Sequence, residues 1–233
     1  MMDNENSEYL TPTSFIDSNQ KSIRDHAMEV IGKSRDPVEI AVKLYLAVRD
    51  GIRYDPYSPF YLPEHYRASY VLRRGRSFCV PKSSLLCALG RACAIPSRIG
   101  LADVRNHLAT RQLIQFLGTD LFSCHGFVEF YLNGKWVKAT PAFNRELCEK
   151  HKVPPLEFNG RDDSLFQPYN LENQKFMEYV KIHGVYPDVP FDRILREWEK
   201  TYGNGRLRAW IKKFEEGNER SLGDFEKEDV LKG

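Results

Sequence analysis

The segment from Ser77 to Pro96 constrains the fold most, because it predicts an apolar helix with a cysteine at its start. Proline is tolerated in a helix only in the first turn, so Pro81 places that start near Cys79, and Ile95 with the following proline ends the helix. The apolar positions of the pattern are Leu85, Leu86, Leu89 and Cys93. A thiol in the first turn lies beside unpaired backbone N–H groups and the positive end of the helix dipole, which both favour the thiolate. We therefore interpret Cys79 as a nucleophile.

The charge balance excludes several classes of partner. The 233 residues include 34 basic and 32 acidic side chains, so no global field favours a nucleic acid or an anionic membrane. The sequence begins without a basic region followed by an apolar run, and no window approaches the roughly 18 apolar residues of a spanning helix. Five cysteines, three of them on one predicted helix, do not suit a disulfide framework. We expect a cytoplasmic protein with reduced thiols.

Composition and periodicity predict three regions. Residues 1–20 are polar and are expected to form an extended arm, residues 21–145 a core, and residues 146–233 a mainly helical extension packed on the core. The predicted helices, apart from the one that begins near Cys79, cover about residues 22–31, 37–51, 172–182, 190–202 and 207–216. The second of these is expected to begin after an Asp36 cap. Residues 51–75 are rich in tyrosine and proline and predict an irregular packed loop.

A predicted β-hairpin is the second sequence feature that constrains the fold. Strands are predicted over residues 97–104 and 122–132, and the Asn133-Gly134 turn returns the chain as a strand over residues 135–140. If Leu132 pairs with Lys135, the alternation of the strands places His125 on the same face as Thr140.

The order of a helix-borne cysteine, a strand-borne histidine and a polar residue on the return strand suits a thiol that attacks an acyl group. The blocks that carry it are Gly-Ile-Arg-Tyr54, Arg-Ser-Phe-Cys79 with the helix that follows, and Cys-His125-Gly-Phe-Val-Glu-Phe-Tyr-Leu-Asn-Gly-Lys-Trp-Val-Lys-Ala-Thr-Pro141. Over about residues 35–145 the chain resembles the transglutaminase-like superfamily.

The resemblance implies an α+β, cysteine-proteinase-like core, in which the nucleophile helix packs on an antiparallel sheet. It further implies acyl transfer from a peptide, protein or small amide to water or an amine, without a cofactor, with Cys79 attacking and His125 moving the proton. The Cys79 N–H and a tyrosine, Tyr54 or Tyr57, are candidate oxyanion donors.

One position departs from the family pattern. Thr140 stands where such families usually have an aspartate, and a threonine can accept an imidazole N–H but carries no charge to stabilise an imidazolium. Thr140 is the first candidate to orient His125, and Asn144, four residues further on, is the second. The missing carboxylate also supports the alternative of a noncatalytic module that binds a peptide or protein partner. No metal site is expected, because neither Cys-x-x-Cys nor His-Glu-x-x-His spacing occurs.

Overall fold

The computed structural model describes residues 4–107, 109–166, 169–173, 175–217 and 225–228. The α-helices are α1 (Lys21–Ile31), α2 (Pro37–Gly51), α3 (Ala68–Arg74), α4 (Cys79–Ala92), α5 (Arg111–Leu117), α6 (Arg145–Lys150), α7 (Phe191–Tyr202) and α8 (Asn204–Glu215). The strands are β1 (Arg53–Tyr54), β2 (Arg76–Ser77), β3 (Ser97–Asn106), β4 (Leu121–Leu132), β5 (Lys135–Ala139) and β6 (Met177–Tyr186). Short 3-10 helices cover Asn4–Leu10, Pro63–Tyr66 and Phe225–Lys227.

Four strands form one antiparallel sheet in the order β5-β4-β3-β6. The Asn133-Gly134 turn joins β4 to β5, and Leu132 pairs with Lys135, which confirms the predicted register. Both turn residues have positive φ, as a two-residue hairpin turn requires. β1 and β2 form a separate two-stranded parallel pair next to the start of α4.

Helix α4 lies at the centre of the molecule, between the sheet and the helices α1, α2 and α3. Its residues are buried on every side from Cys79 to Arg91, as expected for a helix enclosed by other elements. Gly126 on β4 lets the strand approach the helix closely, because a Cβ there would lie 2.8 Å from the Val80 Cα. The sheet and the cysteine end of α4 are therefore in backbone contact.

Helix α2 has well-defined ends. Its Asp36 side chain accepts a hydrogen bond from the Glu39 N–H at 3.0 Å, as the predicted cap requires. At the other end, the fully buried Lys82 ammonium of α4 donates to the carbonyls of Arg49, at 3.0 Å, and Ile52. Burial lowers the pKa of Lys82 to about 7. The two central helices are thus joined by a side chain three residues after the candidate nucleophile.

A second buried cation, Arg91 near the end of α4, connects distant parts of the chain. Its guanidinium donates to the backbone carbonyls of Thr11 at 2.6 Å, Ser97 at 2.8 and 3.1 Å, and Pro187 at 2.5 Å. Burial lowers the pKa of this group. One side chain therefore connects the N-terminal segment to the first residue of β3 and to the residue that follows β6.

Several elements differ from the sequence-based expectation. The helix predicted over residues 172–182 is wrong: β6 extends from Met177 to Tyr186 and pairs with β3, so the region after residue 145 is not only helical but also completes the core sheet. Aromatic and β-branched residues in that stretch favour a strand once a partner edge is present. The short helices α3, α5 and α6 were not predicted. The segment before α1 includes the fully buried Ile16, so it packs on the core. No helix in the described ranges is long and apolar enough to cross a membrane.

Candidate active site

Cys79 occupies the first position of α4, where the sequence places it. The parallel pairing of Tyr54 with Ser77 positions the chain just before the helix, and Phe78 is the N-cap residue but makes no side-chain cap hydrogen bond. The first backbone N–H groups of the helix consequently keep their donor capacity for another acceptor. The Cys79 side chain is the acceptor that lies nearest in sequence.

Three backbone N–H groups near the Cys79 sulfur, those of Gly126, Val80 and Cys79 itself, act to lower the pKa of the thiol. Two belong to the start of α4 and the third to β4, one residue after His125. Backbone donors of this kind stabilise a thiolate and can also stabilise an oxyanion formed next to it. The glycine matters here because its missing side chain allows its amide to reach the helix.

Burial nevertheless dominates the titration of this thiol. It raises the pKa of Cys79 to about 11, although the three N–H groups and the charge of Lys82 act in the opposite direction. The side chain is among the buried set, at 9% exposure. The expectation of an ionised thiol based on the helix end alone is therefore wrong for this closed arrangement, because removal of water outweighs the dipole.

His125 lies on β4 and is 2% exposed. Its burial lowers the pKa of the imidazole to about 3, so the ring is neutral at physiological pH. The ring lies 5.1 Å, centroid to centroid, from that of Phe166, and its buried Nε2 has no hydrogen-bond partner among the described residues. A neutral imidazole with a free ring nitrogen is the state that a general base requires.

Neither predicted orienting residue bonds to His125. The Thr140 hydroxyl donates to the backbone carbonyl of Ser164 at 3.0 Å. The Asn144 side-chain oxygen accepts from the Tyr54 N–H at 3.1 Å, so Asn144 holds β1 instead of the imidazole. The structure thus places both residues close to the site elements but directs their hydrogen bonds elsewhere.

Cys79 and His125 line a common cavity of about 50 Å³. Its walls are mostly aromatic and include Phe60, Phe78, Phe116, Trp198, Trp210 and Phe214. Ligand pockets usually measure roughly 300–1,000 Å³, so this cavity is too small for a peptide side chain and its surroundings must move to admit one. Of the candidate oxyanion donors, Tyr54 lines the cavity, whereas the Tyr57 hydroxyl donates to Glu228 at 2.7 Å.

Helices α7 and α8 close the cavity on one side. The Trp198 indole N–H of α7 donates to the Ser123 carbonyl at 2.8 Å, and the Tyr202 hydroxyl accepts from the Ser123 N–H at 2.8 Å. Arg206 of α8 donates to the carbonyls of Gln115 and Phe116 at 3.0 and 2.9 Å. These bonds fasten the helical pair to β4, two residues before His125, and to the end of α5.

Sequence reasoning missed the roles of Gly126 and Phe166 at this site. A lone glycine inside a strand pattern, as in the His125-Gly126 pair, is a signal of close backbone approach that was available. The contact of Phe166 with His125 joins residues 41 positions apart (166 − 125) and has no local signature.

An α+β fold that buries a helix-borne thiol against an antiparallel sheet carrying a histidine defines a cysteine-proteinase-like core. The sequence model of the transglutaminase-like superfamily matches residues 24–141, about half of the chain. The chain belongs to this superfamily. The match runs from within α1 to just past β5 and therefore includes Cys79, His125 and Thr140.

A solved structure shares the fold. The "Putative Cysteine Protease from Cytophaga hutchinsonii" aligns with 83% of this chain at 17% identity and a TM-score of 0.53. This chain spans 50% of the length of that one. A "putative protease from Parabacteroides distasonis" aligns with 51% of this chain and 23% of its own, at 19% identity and a TM-score of 0.37, which is too low to support an argument. Among curated proteins no match was found.

Proposed function

We propose that the chain is a thiol-dependent acyl-transfer enzyme that hydrolyses a peptide or carboxamide bond through an acyl-enzyme on Cys79. The observation that carries the proposal is that Cys79, at the start of α4, lines the same cavity as the neutral His125, with backbone N–H groups nearby that favour the thiolate. Membership of the transglutaminase-like superfamily supports a thiol enzyme.

The reaction follows from these groups. His125 takes the proton of the thiol as the Cys79 sulfur attacks the acyl carbon, and the negative charge that develops on the carbonyl oxygen is stabilised by the nearby N–H groups. The imidazolium then gives its proton to the leaving amine, which departs as the acyl-enzyme forms. Water attacks the acyl-enzyme, with His125 again as the base, and the free thiol is restored. An amine in place of water yields transfer instead of hydrolysis.

The environment of the dyad sets two conditions on this reaction. The pKa values of about 11 for Cys79 and about 3 for His125 oppose proton transfer between them, because burial disfavours both of the charged forms. Opening of α7 and α8 therefore precedes chemistry and admits both substrate and water. The aromatic walls favour an acyl group with a large apolar side chain over a charged one.

The test uses two peptide acyloxymethyl ketones that differ only in phenylalanine or glutamate as the acyl residue. We expect intact mass spectrometry and peptide mapping to place the phenylalanine probe on Cys79, at a rate at least about tenfold above that of the glutamate probe. The label is expected to disappear in Cys79→Ala, to slow markedly in His125→Ala and to persist in Cys93→Ala, which removes a more exposed thiol.

The same preparations are tested for turnover of a matching peptide anilide. Labelling that is unaffected by His125→Ala contradicts the dyad. A folded chain that shows neither labelling nor turnover contradicts the enzyme and favours the second candidate, a peptide-binding module. The observation that favours this second candidate is that Thr140, which stands where the family usually has a carboxylate, bonds to the Ser164 carbonyl and not to His125.

A further inference from the structure

A cluster of metal-ligating side chains lies outside the Cys79 cavity, on three adjacent strands of the sheet. Asp103 on β3, Cys124 on β4 and His183 on β6 each direct one ligand atom into a space where these atoms lie within 4.8 Å of one another. None of the three lines the cavity that contains Cys79 and His125. The cluster is therefore a separate arrangement, although Cys124 directly precedes His125.

The three side chains of the cluster are already close together and are largely buried. The His183 Nε2 lies 2.8 Å from the Asp103 Oδ1, and the same oxygen accepts from the Cys124 N–H at 2.9 Å. The His183 side chain is only 1% exposed and the Asp103 side chain 14%. Cys124 is fully buried, and its sulfur lies 3.9 Å from the Ser123 hydroxyl. The potential ligand atoms are therefore largely shielded from solvent.

The backbone is irregular where the cluster forms. Cys124 has φ of +56°, a conformation that side chains other than glycine rarely adopt, and the β3–β4 register shifts between Ala102 and Val104. The β3–β6 register also shifts on either side of Ala102 and Asp103. Bulges of this kind re-aim side chains and are frequent beside functional sites. Here they bring a thiol, an imidazole and a carboxylate from three strands to one point.

The ligand set of the cluster has the charge that a divalent cation requires. A divalent cation held by one thiolate, one carboxylate and one neutral imidazole gives a neutral first coordination shell.

We propose that Asp103, Cys124 and His183 bind a zinc ion, with water in the fourth position. Thiolate, imidazole and carboxylate together are the ligand types that zinc accepts, whereas magnesium and calcium prefer oxygen alone. On binding, the Cys124 thiol loses its proton to solvent and forms the Zn–S bond, without any change of oxidation state. The ion fixes β3, β4 and β6 together at the residue before His125, so its expected role is to position the catalytic strand.

Local sequence motifs could not reveal this site. Its ligands are separated by 21 and 59 residues (124 − 103 and 183 − 124), and only the sheet brings them together. The absence of Cys-x-x-Cys and His-Glu-x-x-His spacing, which led to the expectation of no metal, is therefore no argument against it.

The test titrates the metal-free full-length chain with Co²⁺ and Zn²⁺ in a Cys79→Ala background, which removes the competing thiol of the proposed active site. We expect one equivalent of metal, sulfur-to-cobalt charge-transfer absorption and a raised Tm. Cys124→Ser and His183→Gln are expected to weaken binding by at least about 100-fold, since each removes a ligand. Cys148→Ser, a second buried thiol away from the cluster, is the matched control and should bind as before.

Retained binding in Cys124→Ser, or no binding in Cys79→Ala, overturns the proposal. Binding by the unmodified chain that Cys79→Ala abolishes assigns the metal to Cys79 and overturns it as well. If Cys124→Ser does not fold, X-ray absorption of the zinc-loaded Cys79→Ala chain decides. One sulfur at about 2.3 Å with nitrogen or oxygen at about 2.0–2.2 Å is expected, and a shell without sulfur refutes the site.

Discussion

The close contact between Gly126 and the start of α4 provides the sharpest test of the site geometry. In Gly126→Ala the added Cβ would lie 2.8 Å from the Val80 Cα, 3.1 Å from the Val80 nitrogen and 3.2 Å from the Cys79 carbonyl oxygen. All three are backbone atoms, so no side-chain rotation relieves the overlap. Restoring an ordinary separation of 3.4 Å requires β4 and α4 to move apart by about 0.6 Å (3.4 − 2.8).

This displacement has two measurable consequences. Overpacking of a core contact costs about 1–3 kcal/mol in the free energy of unfolding, and each kcal/mol lowers the Tm of a chain of this length by about 2–4 °C. The same movement withdraws the Gly126 N–H from the Cys79 sulfur. Because a misplacement of about 1 Å can cost roughly 100-fold in rate, a shift of about 0.6 Å is expected to slow reaction at Cys79 by roughly tenfold.

The assay is the second-order rate constant for iodoacetamide alkylation of Cys79, quantified by peptide mapping, together with thermal unfolding. Gly51→Ala is the matched control, because a Cβ at that helix end meets no atom within 4 Å and the residue does not have positive φ. We expect Gly51→Ala to leave both quantities essentially unchanged. A Gly126→Ala chain with the Tm and the alkylation rate of the unmodified protein would refute the backbone contact and the role assigned to the Gly126 amide.

Two further predictions concern the imidazole. The folded pKa of His125, about 3, lies below its ordinary value of 6.5, so the unfolded chain binds more protons between these pH values and stability falls as pH drops from 6.5 to 3. His125→Leu should remove this component of the pH dependence in urea unfolding, and equal slopes for the two chains would contradict the burial of the imidazole. Thr140→Ala should lower stability by about 1 kcal/mol through loss of the bond to Ser164, with little change in Cys79 alkylation, whereas Thr140→Asp should raise the alkylation rate at pH 7 by stabilising the imidazolium. A Thr140→Ala chain that keeps its Tm but loses Cys79 reactivity would instead assign Thr140 to the orientation of His125.

The parts of the fold with local signals could be predicted from the sequence. Asp36 and Pro37 define the start of α2, Pro81 restricts the start of α4, and Asn133-Gly134 fixes the β4–β5 register, in each case through the conformational limits of a few adjacent residues. Strand β6 lacks such a signal, because its residues become a strand only when the edge of β3 is present to pair with them.

In the candidate site, too, some features have a local sequence signal and others depend on residues distant in the chain. The order of Cys79 and His125 is readable in the chain, and membership of the superfamily agrees with it. The pKa values could not be read, since they depend on how completely the aromatic walls and α7 exclude water from the two side chains. Likewise, the strand register allowed a hydrogen bond between Thr140 and His125. In the structure the Thr140 hydroxyl donates instead to the carbonyl of Ser164, 24 residues further along the chain.

The hydrogen bonds of Arg91 determine when, during synthesis of the chain, α4 can be buried. Its acceptors include Thr11, 80 residues earlier, and Pro187, 96 residues later, so its charge cannot be fully compensated until residue 187 has left the ribosome. Until then α4 carries an incompletely paired guanidinium in what becomes the centre of the molecule, and burial of that helix is opposed. Contacts so distant in sequence close large loops and form slowly. The nucleophile helix is thus expected to reach its final place late, after β6 has joined the sheet.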